Sequence, residues 1–295
     1  MKYFLIILFI VLSFVQLSAQ NHYIRFESID VQNYIFDIHI NDSTNRIEGK
    51  TTIKIRFLKP SQKAILDLIG RNDSTNSGME VSRISYNGNP FKFFHQNNQL
   101  EIDFNRIFEA GETVEFEVNY SGIPADGLII SKNKFGDRTF FGDNWPDRAQ
   151  YWLPTVDHPS DKATLEFRVT APEKYQVVSN GIQQEESNLE NNEKLTVWKE
   201  NVPISTKIMV IGVARFAVLN NENFNNIPVS SWVFPQNREN GFLDYSVGDK
   251  SLKYFSEIIG PYSFEKLAHV QSNTRYGGME NAGCIFYAEN SVTGK

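Results

Sequence analysis

A chain of 295 residues and 33.9 kDa is long enough for about two domains, or one large β domain and part of another. Hydrophobic residues at 41% and charged residues at 22% exclude a wholly disordered or collagen-like chain, and a net charge of −6 excludes a dominant nucleic-acid or anionic-membrane surface. The 23 Phe, 12 Tyr and 4 Trp can furnish a substantial core, while a single cysteine, Cys284, excludes an intramolecular disulfide and a Cys-rich zinc finger.

The first residues read as an address. Lys2 gives a positive start, residues 3–15 are the apolar run YFLIILFIVLSFV, and Ser18-Ala19 supplies small residues before Gln20. This is the pattern of a secretory signal peptide over 1–19. The apolar run falls short of the about 20 residues that a membrane-spanning helix needs. No cysteine follows it to carry a lipid. The expectation is an exported protein, periplasmic, outer-surface or extracellular, with no stable membrane anchor after cleavage. An uncleaved N-terminal anchor is the alternative.

From there to about residue 222 the chain alternates apolar and polar residues, the mark of half-buried strands. Tyr34-Ile35-Phe36-Asp37-Ile38-His39-Ile40 alternates, as do Thr52-Ile53-Lys54-Ile55-Arg56-Phe57, Leu100-Glu101-Ile102-Asp103-Phe104, Thr113-Val114-Glu115-Phe116-Glu117-Val118 and Leu165-Glu166-Phe167-Arg168-Val169. Residues 207–214 (KIMVIGVA) are continuously apolar and predict a strand buried on both faces. Turns are expected at 87–90, 110–112, 122–124 and 179–181, a loop at 71–78, and an exposed hairpin tip at 185–193. Many short strands with frequent turns predict a mainly β protein, an antiparallel sandwich or saddle-shaped pair of sheets. No fixed repeat period suggests a propeller or solenoid.

The pattern changes near residue 222. Residues 220–226 (NNENFNN) are polar and read as a boundary, and 228–235 holds one more short strand. Leu252, Phe255, Ile258 and Ile259 then recur at helical spacing, with Asp244 or Ser246 as candidate cap and Gly260-Pro261 as the stop. A mixed α/β region of about 70 residues therefore follows the β domain, a small core for an independent unit.

The segment most suggestive of chemistry is Tyr276-Gly277-Gly278-Met279-Glu280-Asn281-Ala282-Gly283. Paired glycines let another backbone approach closely, an edge strand beside them can pair with an extended peptide, and Glu280 suits a peptide's α-amino group. A glycine turn with an ordinary exposed Glu is the plainer reading of the same residues. The segment resembles the GxMEN exopeptidase motif of the M1 zinc aminopeptidases, the aminopeptidase N and leukotriene A4 hydrolase group. Trp152-Leu153-Pro154-Thr155-Val156-Asp157-His158-Pro159-Ser160-Asp161-Lys162 is similar to that family's P-x-x-D-x-P-x-x-K passage. The order of regions also agrees, and the resemblance spans roughly residues 24–295.

The resemblance implies an N-terminal β domain over 20–222, then over 223–295 the beginning of a thermolysin-like α/β catalytic domain. It implies that Gly277, Gly278 and Met279 pair with a substrate peptide backbone. Glu280 would bind the free α-amino group, and Asn281 would help shape the strand. The family's second amine anchor comes from the β domain, where residues 141–150 read FGDNWPDRAQ and lack the usual Q-x-E or Q-x-Q. Matching backwards from Pro154 favours Asp143 as the substitute, with a turn-capping Asp as the alternative and Gln150 too near Pro154 for the register.

The resemblance also implies a zinc site, H-E-x-x-H on a helix, whose two His at i and i+4 reach one ion while the Glu activates its bound water. His22, His39, His95, His158 and His269 include no such pair, so no catalytic and no metal-binding residue is assigned within this chain. The family places that motif roughly two dozen residues past the GxMEN Glu, beyond Lys295. His158 and His269 read as surface or loop histidines, and Cys284 as a small buried hydrophobe. The implied function is the N-terminal portion of an exported zinc aminopeptidase. Its partners would be peptides with a free N-terminus and not nucleic acid, and zinc would be bound in the complete enzyme. The chain alone would be inactive. The alternatives are a non-catalytic secreted β-sandwich module that binds peptides without metal, and a carbohydrate-binding module whose only support is Trp145 and Trp152.

Overall fold

The structure, a computed structural model, describes residues 27–221 and 223–295. The expected signal peptide lies outside the described residues. The alternating segments form strands, and their pattern sets which face is buried. Ile29–His39 buries Tyr34, Phe36 and Ile38, and its neighbour Ile47–Phe57 buries Ile53, Ile55 and Phe57. In sheet order the largest sheet runs Ile182–Asn188, Glu193–Ser205, Lys162–Pro172, Ile29–His39, Ile47–Phe57, Thr113–Ile123, Gly78–Tyr86 and Asn89–Pro90. Its pairings are antiparallel except Ile29–His39 with Lys162–Pro172, which run parallel with Phe36 opposite Phe167.

Three smaller sheets accompany it among the described residues. Ser61–Asp67, Gln99–Phe108 and Lys92–Gln96 form one, and Phe104 meets Phe116 of the large sheet edge-on at 5.6 Å. A four-stranded sheet orders Gln176–Ser179, Ile211–Ala214, Arg138–Gly142 and Leu128–Lys132. A five-stranded sheet orders Ala217–Asn220, Val229–Val233, Leu267–Ser272, Cys284–Ala288 and Gly278–Asn281. The molecule is mainly β, as its alternation predicts.

The four-stranded sheet mounts the five-stranded one. Phe141 packs on Phe286 at 5.5 Å and on Phe234 at 6.5 Å. Between the two sheets, Asn180 donates through Nδ2 to the Ala282 carbonyl at 2.8 Å. The fully buried ammonium of Lys266 donates to the Ser179 carbonyl at 2.6 Å and the Gly283 carbonyl at 2.9 Å, with the Trp198 ring 5.1 Å away. Burial pushes the Lys266 pKa down; two carbonyl acceptors and an aromatic face help the cation to remain inside.

Several sequence expectations are corrected. Only Ile211–Ala214 of 207–214 is strand; residues 206–208 are a short 3₁₀ turn. Gly122 and Ile123 remain in a strand rather than turning, because both pair with Gly78–Tyr86. The hairpin tip is confined to 189–192, since Ile182–Asn188 continues to pair through Asn188. The single expected helix is two, Arg238–Tyr245 and Val247–Ile258. No capping bond comes from Ser246 or Asp244: Ser246 Oγ donates back to the Leu243 carbonyl, while Asp244 accepts the Thr293 and Gly294 amides. Leu252 is buried, but Phe255, Ile258 and Ile259 of the same apolar stripe are 55%, 63% and 79% exposed. His158 and His269 are both buried, and His269 lies within the strand Leu267–Ser272.

Candidate functional site

The strand Gly278–Asn281 is an edge of the five-stranded sheet. It pairs antiparallel with Cys284–Ala288, with Gly278 opposite Tyr287, Met279 opposite Phe286, Glu280 opposite Ile285 and Asn281 opposite Cys284. The connection is the two-residue turn Ala282-Gly283, where Gly283 has φ of 64°, a conformation glycine adopts without penalty. Period-2 alternation then divides the strand. Met279 and Asn281 share a face with Phe286 and Cys284, towards the β domain. Glu280 shares the opposite face with Tyr287, Ile285 and His269, along a cleft of about 530 Å³. The apolar part of that cleft includes Leu252, Phe255 and Leu267.

Gly277 and Gly278 do not have positive φ, and a Cβ at Gly277 would meet nothing within 4 Å. At Gly278 the nearest atoms would be 3.8 Å and more away. The fold itself therefore does not require glycine at either position, and the space over them is open. Asn281 is buried, with its Nδ2 3.4 Å from the Met279 carbonyl.

Beside Glu280, Tyr287 shares a 2.9 Å hydrogen bond with His269 Nδ1, and the two rings stack at 5.8 Å. Burial pushes the His269 pKa down to about 4, with Asp249 opposing the shift, so the imidazole is neutral at pH 7. Burial, and then the nearby charge of Glu280, raise the Tyr287 phenol to about 12. The helix Val247–Ile258 presses on this pair through Gly248, where any Cβ would stand 2.0 Å from His269 Nε2. Cys284 is fully buried with its thiol pushed up to about 11, a packing residue.

Asp143 lies elsewhere, at the end of the strand Arg138–Gly142. It is 1% exposed, and its Oδ1 accepts from Arg148 Nη2 at 2.5 Å. Its Oδ2 accepts no hydrogen bond and is 3.8 Å from Arg275 Nε. Arg275 also pairs with Asp126, so Arg148, Asp143, Arg275 and Asp126 form one network just before the glycines. Above it the Trp145 and Tyr276 rings meet edge-on at 5.7 Å, both partly exposed. Asp143 and Glu280 are thus linked through the 275–280 segment, and Asp143 is not among the residues that line the Glu280 cleft. Sequence reasoning missed Arg148, Arg275 and Asp126. The position of Arg275 immediately before the motif is the one signal that could have flagged it.

The Asp157 passage is structural. Asp157 accepts from Thr206 Oγ1 at 2.7 Å and from the Gln150 amide at 3.1 Å, and its own amide donates to Asp67 Oδ2 at 2.9 Å. Asp161 accepts the Val31 amide at 3.2 Å. Burial raises Asp67 to about 7, Asp157 to about 6 and Asp161 to about 7. Gln150 bonds the Asp147 carbonyl and Asn144 is fixed by Trp152, Thr206 and Met209. Among the described residues, no group of three or more His, Cys, Asp or Glu could hold a metal ion, so a zinc ion does not fit this set of side chains.

A mainly β assembly carrying an open, glycine-flanked edge strand with a carboxylate beside a cleft is the class of protein that fold and site define. Residues 30–208 match the Peptidase M1 N-terminal domain, and the chain belongs to that family. Glutamyl aminopeptidase of Mus musculus is 25% identical over 152 residues, covering 51% of this chain and 16% of that protein. Leucyl aminopeptidase of Saccharolobus solfataricus is 22% identical over 268 residues, covering 87% of this chain and 32% of that protein. The chain thus spans less than a third of the length of either relative. The M1 zinc metallopeptidase of Deinococcus radiodurans has a similar fold, with a TM-score of 0.78 at 22% identity over 91% of this chain and 62% of that one. A mutant of that peptidase, bound to a Tyr-Ser-Ala substrate, superposes with a TM-score of 0.76 over 90% of this chain and 62% of that one, at 22% identity.

Proposed function

We propose that this chain is the N-terminal portion of an exported zinc aminopeptidase, with a β domain over 20–222 and the start of the catalytic domain over 223–295. Membership of the family supports the class. The observation that carries the reading is the free edge of Gly278–Asn281, flanked by glycines the fold does not require. An extended peptide can add to that edge, with main-chain bonds for affinity and no Cβ to hold it off. Glu280 is the carboxylate for its α-amino group, and the loss of that charge-assisted bond penalises a blocked N-terminus. Asp143 is the second anchor in this reading, through the oxygen that Arg148 leaves unbonded; Arg275 must turn aside to admit the amine. The zinc that would supply the activated water is held by residues outside those described, and no hydrolytic step is assigned to this chain.

In the complete protein, Glu280→Ala should raise the KM for free-amine aminoacyl anilides by tenfold or more, roughly the strength of one charge-assisted hydrogen bond. An unchanged preference for free over N-acetylated substrates would remove Glu280 from this role. The 295-residue chain alone should release no amino acid, with or without added zinc. A non-catalytic module using the same edge would instead bind free-amine peptides without metal, which a titration separates.

A further inference from the structure

The pentapeptide Asn-Asp-Ser-Thr-Asn occurs twice, at 41–45 and at 72–76. Nothing in the peptide-binding edge uses either copy, and the structure relates them closely. Each is followed by one residue and then a strand of the large sheet, beginning at Ile47 and Gly78. Ile47 and Met79 both pair with Gly122, one from each side of Thr113–Ile123. The two turns therefore stand at the same rim on strands about 10 Å apart. Glu80 joins them, 3.1 Å from Arg71 and 3.8 Å from Arg46.

Each copy also adopts the same local bonding. Asn41 Oδ1 accepts the Ser43 and Thr44 amides, both at 2.9 Å, and Ser43 Oγ at 2.8 Å. Asn72 Oδ1 accepts the Ser74 amide at 2.9 Å and the Thr75 amide at 3.4 Å. In both, the amide oxygen is engaged by the turn, and Ser43 and Ser74 are exposed to solvent. Asn-x-Ser is the tripeptide that accepts sugars on surface loops of exported proteins. A third such tripeptide, Asn119-Tyr120-Ser121, is held in the middle of the sheet, with Asn119 paired to both Lys50 and Arg83. It serves as an internal control.

We propose that the two Asn-Asp-Ser-Thr-Asn turns are a matched pair of glycan-attachment sites. A transferase would draw on an activated glycosyl pyrophosphate. The bond from the anomeric carbon to phosphate oxygen breaks, a bond to the side-chain nitrogen or oxygen forms, the acceptor's proton passes to the enzyme's base, and pyrophosphate-linked carrier leaves. The proposal rests on the export reading, and one measurement separates the two. The protein is purified from its native source, and its intact mass and N-terminal sequence are determined.

The expected result is an N-terminus near Gln20 and added mass that falls by about half in Ser43→Ala, by the other half in Ser74→Ala, and wholly in the double variant. In Asn41→Gln with Asn72→Gln the mass is lost if the amides carry the sugar and kept if the hydroxyls do; either supports the pair. Ser43 and Ser74 are exposed, so a thermal melt should be unchanged in the two serine variants. A cleaved chain with the bare polypeptide mass, or equal modification at Asn119, overturns the glycan proposal alone. An uncleaved, unmodified chain recovered from the cytoplasmic fraction overturns the export reading with it.

Discussion

The large β assembly and the five-stranded sheet bury their faces differently. The first is closed: the inward side chains of the large sheet, the three- and four-stranded sheets and the 152–156 corner form one continuous core, which the inner face of the five-stranded sheet joins through Phe234, Val270 and Phe286. The second is closed on one side only. Met279's face packs on the β domain, while the Glu280 face opens on a cleft whose helix leaves Phe255, Ile258 and Ile259 largely exposed. The lesson is that the open face borrows its rigidity from the closed one, since the strand carrying Glu280 is held through Phe286, Asn180 and Lys266.

Mutations can sharpen that contrast. The largest effect is expected for Phe286→Ala at the seam, which should cost roughly 3–5 kcal/mol in urea unfolding of the chain. Lys266→Ala should follow, at about 2 kcal/mol, because it removes the ammonium donor from the buried Ser179 carbonyl and leaves the Gly283 carbonyl only the Ala268 amide. If either falls below about 1 kcal/mol, the seam does not anchor the second region.

The two regions should also respond to pH with opposite signs. Asp67, Asp157 and Asp161 have folded pKa values raised to about 7, 6 and 7. Their contribution is fully present below the unfolded value of about 4 and is lost as pH rises to about 7. His269 is depressed to about 4, so its contribution is present above about 6.5 and is lost as pH falls towards 4. Melting temperature measured against pH should show a shallower high-pH decline in Asp157→Asn, with Asp67 and Asp161 supplying the remainder, and a shallower low-pH decline in His269→Gln.

The smallest effects belong to the open face. Phe255→Ala should change the stability of the chain by less than about 0.5 kcal/mol, as for an ordinary exposed side chain. Gly277→Ala should leave stability unchanged or raise it by about 0.5 kcal/mol, since the unfolded chain loses freedom and the folded site has room. In the complete protein the same substitution should raise the KM for peptides. A large loss of stability in Gly277→Ala would mean that the fold, and not a ligand, requires the glycine.

Much of the closed region is readable in the sequence because a period of two reports burial directly. Residues 34–40, 52–57 and 113–118 declare their inward faces without any partner being known. Partners are a different matter: the parallel pairing of Tyr34 with Leu165 joins segments more than a hundred residues apart, and nothing local encodes it. The helix period at Leu252, Phe255 and Ile258 was equally visible, but periodicity reports an apolar face and not whether anything covers it. At the candidate site, the Gly-Gly-Met-Glu-Asn strand stood out from its motif. The ion network around Asp143 did not, because Asp126, Arg148 and Arg275 come from three separate loops.

The Lys266 contact carries a consequence for how such a protein can be recombined. Its two acceptors lie on opposite sides of the seam, one at Ser179 in the β domain and one at Gly283 beside the candidate strand. A chimera that takes the five-stranded sheet from one relative and the larger sheets from another must therefore match at Ser179, Asn180 and Trp198 as well as at the splice point. A junction drawn between the two regions divides a lock from its key.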